Sequence, residues 1–71
     1  MMSYDERIVF NMYMDNGYKC EVKGNYEFAI TRYTDAYNVA KTANDSAQKD
    51  ALNSITRCQQ KLEMAKGGRS K

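Results

Sequence analysis

Apolar positions along this chain recur at intervals of three and four, the spacing of helices that bury one face. Three such segments are expected. The first runs over about residues 4–22, with Val9, Met12, Tyr13 and Cys20 on its apolar face and Ile8 and Phe10 broadening that face. Ser3 stands at the N-cap position and Glu6 follows three residues later, so each can satisfy the other's backbone N–H in a capping box. Asp5 and Glu6 also suit the positive end of the helix dipole. The second segment covers about 26–43, where Tyr26, Ala29, Ile30, Tyr33, Ala36, Tyr37 and Ala40 share one side. Its small residues, Ala29 and Ala36, let a neighbouring helix approach closely between flanking tyrosines. The third covers about 47–66, with a narrow seam of Ala47, Ala51, Ile55, Cys58, Leu62 and Ala65.

Two breaks separate these segments. In "KGN", residues 23–25, Gly24 can take the left-handed conformation that ends a helix, and Asn25 can cap the next one. A link this short makes the helices antiparallel neighbours. "TANDS", residues 42–46, is rich in residues that prefer caps to helix interiors, and Asp45 or Ser46 is expected to cap the third helix. Gly67 and Gly68 are expected to end that helix, leaving a disordered basic tail at 67–71. The fold expected is therefore all-α: one antiparallel three-helix bundle over residues 1–66.

Length sharpens the picture. A chain of 71 residues is one domain at most. It buries only about 60% of its unfolded surface, so its core is thin. Small domains often lean on disulfides, metals or a second copy of themselves. Cys20 and Cys58 are far apart and are read as reduced thiols on apolar seams. With no histidine, two thiolates do not close a tetrahedral metal site. No apolar run approaches the roughly 20 residues of a membrane span. The opening "MMSYDERIVF" carries an acidic pair where a secretory signal needs basic residues. A cytoplasmic protein is the expectation.

Charge is uneven. Acidic residues outnumber basic ones up to Thr31, whereas Arg57, Lys61, Lys66, Arg69 and Lys71 face only Glu63 at the other end. Such a basic end can attract nucleic acid or acidic partners, or simply suit the negative end of a helix dipole. No catalytic constellation accompanies it. There is no histidine for acid–base work, no base beside either cysteine, and no glycine-rich phosphate loop opening a helix. Neither an enzyme nor a cofactor site is expected.

Between residues 13 and 41 the chain resembles one tetratricopeptide repeat (TPR), a helix–turn–helix unit of about 34 residues. Tyr13 stands at the early aromatic position and Gly17 at the small position where the two helices cross. Gly24 and Tyr26 match the turn, and Ala29, Tyr33 and Ala36 match the small–aromatic–small series of the second helix. Cys20 replaces the usual tyrosine, and Lys41 stands near the missing closing proline. The third helix is similar to the capping helix that covers a last repeat. A second resemblance is to microtubule-interacting and trafficking domains, three-helix bundles whose second helix often opens much like "GNYEFAI".

The resemblance implies a small adaptor or regulator that binds a protein or peptide through its first-helix surface. Carried over by register, the contact residues are Asn11, Met14, Tyr18 and Glu21, with Gln48 and Leu52 from the third helix. Phe10 joins them because the first helix carries apolar residues on more than one side: Ile8, Phe10 or Met14 would face solvent unless a partner covers them, which also suggests a homodimer through that helix. Tyr18 stands where the family's carboxylate-binding asparagine would be, so a chaperone-tail ligand is not implied. The alternative is a small nucleic-acid-binding protein using Arg57, Lys61, Lys66, Arg69 and Lys71. No membrane or small-molecule ligand is expected.

Overall fold

In the computed structural model, which describes residues 1–67, α1 spans Tyr4–Val22, α2 Tyr26–Thr42 and α3 Gln48–Gly67. The expected capping box opens α1. Ser3 Oγ accepts from the Glu6 N–H at 3.1 Å, and Glu6 Oε1 accepts from the Ser3 N–H at 2.8 Å. Asn25 precedes α2 but makes no side-chain cap bond, so that expected cap is not formed.

The two turns are the same motif built from different residues. After α1, Gly24 N–H donates to Glu21 O at 3.0 Å and Asn25 N–H to Cys20 O at 2.9 Å. After α2, Asn44 N–H donates to Lys41 O at 3.0 Å and Asp45 N–H to Ala40 O at 2.9 Å. Both are Schellman closures, which need a left-handed residue just past the helix. Gly24 supplies it at φ 84° and Asn44 at φ 54°. Asparagine tolerates that region because its short polar side chain can bond locally. Asp45, rather than Ser46, then leads into α3: its Oδ1 accepts from the Ala47 N–H at 2.8 Å, and its Oδ2 accepts from the Met2 N–H at 3.0 Å.

The result is an antiparallel three-helix bundle in which α2 is central and both other helices pack on it. Its Cα envelope measures 46 × 19 × 12 Å. A helix of 20 residues spans only about 30 Å, so the long axis reflects stagger. Ala51 packs with Ala36 and Ala40, while Ile55 and Cys58 pack with Ala29 and Tyr33. That pairing carries the last turns of α3 past the start of α2. The α3 seam holds at Ala51, Ile55 and Cys58, thins at Ala47 and Leu62, and reaches an exposed Ala65.

The buried face of α1 differs from the one its apolar pattern suggests. Val9 and Met12 lie outside, Tyr13 and Cys20 are half-buried, and the buried positions are Phe10, Gly17 and Glu21. Gly17 explains the close approach of α1 to α2. A Cβ there would stand 2.6 Å from Tyr33 Cδ1 and Cε1. Removing the Cβ leaves room for a fully buried tyrosine ring, and that contact turns α1 about its axis. Gly67, expected to open a disordered tail, instead ends α3, and the rest of that expected 67–71 tail lies outside the described residues.

Candidate functional site

Packing a tyrosine ring against Gly17 brings its hydroxyl to the end of α1, where it needs a partner. Glu21 is that partner, one helical turn beyond Gly17. Tyr33 Oη donates to Glu21 Oε1 at 2.7 Å. From α3, Arg57 Nε donates to Oε2 at 2.7 Å and Arg57 Nη2 to Oε1 at 2.8 Å, a two-pronged grip on the carboxylate. Lys61 Nζ adds a bond to Oε2 at 2.9 Å and lies over the Tyr26 ring at 6.0 Å. Glu21 is only 5% exposed, yet all of its oxygens are engaged.

Electrostatics follows from the geometry. The Arg57 hydrogen bonds hold the Glu21 carboxyl well below the usual carboxylate range, outweighing the burial that opposes ionisation. Burial and the neighbouring carboxylate push the Tyr33 hydroxyl up. Burial likewise pushes up the Cys58 thiol, and Cys20 and Cys58 are both free. These are properties of an inert, satisfied cluster: no group in it is poised to trade protons near neutral pH. Among the described residues no trio of acidic or thiol groups is placed to hold a metal.

The expected contact residues are not gathered into one surface. Phe10, expected at the surface, is buried in the core with Met2, Ala36, Ala40 and Ala51, because the rotation of α1 turns it inward. Glu21, also expected at the surface, is the buried carboxylate of the cluster. Asn11 and Tyr18 are exposed on α1, and Met14 is half-buried between the two core clusters. Gln48 and exposed Leu52 line a shallow hollow with Tyr37, Ser46 and Lys49, to which α1 contributes nothing. Of the basic set, Arg57 and Lys61 grip Glu21 with about half of each side chain still in water. Lys66 lies on the exposed last turn of α3, while Arg69 and Lys71 fall outside the described residues.

Of what the rotation turns outward, only Ile8 was expected to face solvent; Tyr4, Val9 and Met12 were not. Tyr4 is 80% exposed, Ile8 43%, Val9 39% and Met12 58%. Tyr4, Ile8 and Met12 are spaced by four, so they form a stripe on the side of α1 opposite Phe10 and Gly17. Beside this stripe lies a hollow of about 410 Å³ between α1 and α2, lined by Asp5, Glu6, Val9, Asn38, Val39 and Thr42. The sequence signal was present, since apolar residues surround α1, but counting them cannot say which side faces the core.

No protein-family model matches the chain, and neither curated proteins nor solved structures provide a match. Among the described residues, no helix is long and apolar enough to cross a membrane.

Proposed function

We propose that this chain is a small non-enzymatic interaction module, an adaptor or regulator that binds a protein partner through the outward surface of α1. The observation that carries this reading is the stripe of Tyr4, Ile8 and Met12 with Val9 beside it, exposed on a helix whose core face is already filled. Contiguous apolar surface of this kind marks interaction sites. Tyrosine and methionine suit such a role, one amphipathic and rigid, the other adaptable. The tetratricopeptide resemblance agrees with it: Gly17 against Tyr33 supports a helix crossing of that type, with α3 as the closing helix.

The nucleic-acid alternative draws less support, because Arg57 and Lys61 spend part of their charge on Glu21. A crosslinked pull-down with wild-type protein and with Ile8→Asp/Met12→Asp tests the reading. Partners held by the wild type and lost by the variant support it. Equal recovery from both, or none from either, counts against it. A low-salt gel shift that responds to Arg57→Ala would favour the alternative.

A further inference from the structure

We infer that Asn16 is a site of spontaneous covalent modification, deamidation to isoaspartate, at a rate set by the opening of the C-terminal half of α1. The observation is the dipeptide Asn16–Gly17, the one place in the chain where asparagine precedes glycine. A following glycine makes asparagine reactive. No Cβ shields the backbone nitrogen that attacks, and no Cβ restricts the backbone that must bend to bring it there. The fold requires glycine at this place for a separate reason: a Cβ on Gly17 would stand 2.6 Å from the Tyr33 ring. Packing thus keeps a reactive pair inside a helix, with Asn16 exposed to water.

The reaction consumes one water and releases one ammonia. The Gly17 backbone nitrogen gives its proton to solvent and attacks Cγ of Asn16. A C–N bond forms and closes a five-membered succinimide ring. The bond from Cγ to the side-chain nitrogen breaks, and that nitrogen takes a proton from solvent and leaves as ammonia. Water then opens the ring at either carbonyl. Opening at Cγ gives aspartate on an unchanged backbone. Opening at the backbone carbonyl gives isoaspartate, whose main chain runs through Cβ and Cγ and is one carbon longer.

The intact helix blocks the first step. Within α1 the Gly17 N–H donates four residues back, to the carbonyl of Tyr13, and the helical dihedrals at Asn16 are not those that close the ring. Attack therefore needs this turn of α1 to open. Two sets of contacts oppose that opening. Gly17 lies on the Tyr33 ring, and one turn on Glu21 is held by Tyr33, Arg57 and Lys61. The isoaspartate product opposes closing again, because the added carbon shifts Gly17 and Glu21 off these partners. The modification is a one-way release of the end of α1.

Incubation of the full chain at mildly alkaline pH, followed by peptide mapping and isoaspartate detection, tests this. In urea, Asn16 should convert faster than every other asparagine, and Gly17→Ala should slow it several-fold. In the folded chain Asn16 should convert about tenfold or more slower than in urea, since only the open fraction reacts. Glu21→Gln should speed the folded chain about tenfold and leave the rate in urea unchanged. Tyr33→Phe, which keeps the ring on Gly17 and removes one bond to Glu21, should speed it about fivefold and serves where Glu21→Gln does not fold. Leu52→Ser should change neither rate. The purified isoaspartate chain should melt below the Asn16→Asp variant, whose exposed substitution leaves the backbone intact. Faster conversion at a different asparagine in urea overturns the site. Equal rates in urea and in the folded chain, or folded Glu21→Gln and Tyr33→Phe that convert no faster than wild type, overturn the control by α1 opening. Equal melting of the isoaspartate chain and Asn16→Asp overturns the release of α1.

Discussion

α1 and α3 flank the same central helix, yet they distribute apolar and polar residues in opposite ways. α3 hides Ala51, Ile55 and Cys58 and turns residues such as Asn53, Thr56, Gln59 and Gln60 to water. α1 hides a glycine and a glutamate beside Phe10, and turns Tyr4, Ile8 and Met12 outward. The α3 outer surface is polar apart from Leu52 and Met64, which stand apart from each other, whereas α1 carries a contiguous apolar stripe. The difference originates in α2. Its alanines at Ala36 and Ala40 accept α3 through Ala51, a small-on-small contact that works for any ordinary seam. On the same buried face stands Tyr33, packed against Ile55 and Cys58 of α3 and against Gly17 of α1, and its ring and hydroxyl demand both a missing Cβ and a buried acceptor from α1. Gly17 and Glu21 meet those demands, and α1 takes the rotation that follows.

That account stands or falls first on Gly17. In an exposed helix interior, Gly→Ala stabilises by about 1 kcal/mol. Here Gly17→Ala forces a Cβ to within 2.6 Å of a buried ring, so the sign reverses. The expected loss is about 2 kcal/mol, in the range of core overpacking. Urea unfolding followed by circular dichroism measures it. A neutral or stabilising result would mean that Tyr33 does not hold α1 in this rotation.

Glu21 is the next test, of comparable size at neutral pH. Glu21→Gln keeps the shape but removes the charge that engages Arg57 and Lys61, for an expected loss of about 2 kcal/mol. The cations are half in water and recover hydration, which keeps the loss below that of a fully buried pair. The pH dependence distinguishes charge from shape. The folded carboxyl is held below its ordinary value, so its contribution is complete above about pH 4.3 and is lost progressively as pH falls below it. The stability gap between wild type and Glu21→Gln should therefore narrow below about pH 4. A gap unchanged down to acid pH would place the loss in packing rather than in ion pairing.

The same contrast explains what could be read from the sequence. The capping box at Ser3 and Glu6, the left-handed Gly24 and the α2 and α3 seams are local or periodic features, and each was legible. Asn44 in the second turn was legible only as turn chemistry, because several residues in "TANDS" could have filled its role. The face of α1 was misread because Val9 and Met12 outweigh Gly17 and Glu21 in any count of apolar positions. Glu21 could not be placed at all from its neighbourhood: Arg57 and Lys61 lie 36 and 40 residues away. Of the contact residues expected on α1, Phe10 and Glu21 are thus buried, while Asn11 and Tyr18 are exposed.

The two turns offer a smaller effect with an internal control. Nothing lies within 4 Å of a Cβ placed on Gly24, so Gly24→Ala should cost only the strain of a left-handed alanine, about 1 kcal/mol. Gly24→Asn should cost less than half of that, because Asn44 holds the equivalent place in the second turn. Thermal melts of both variants decide the point. Equal losses would mean that Asn44 is tolerated for some reason other than its backbone preference.

The smallest expected effect bears most directly on the two outer surfaces. Ile8→Ser and Met12→Ser on α1, and Leu52→Ser on α3, should each change the stability of the dilute protein by less than about 0.5 kcal/mol, as exposed substitutions do. Raising the protein concentration should separate them. If α1 pairs with a second copy, mass action stabilises the folded dimer and the wild-type unfolding midpoint climbs with concentration. Leu52→Ser should keep that climb because it leaves α1 untouched. Ile8→Ser and Met12→Ser should flatten it while matching wild type in the dilute limit. A loss above about 1 kcal/mol at every concentration would instead show Ile8 and Met12 packed within a single chain. The outer surface of α1 would then be as finished as that of α3, and the contrast between the two helices would disappear.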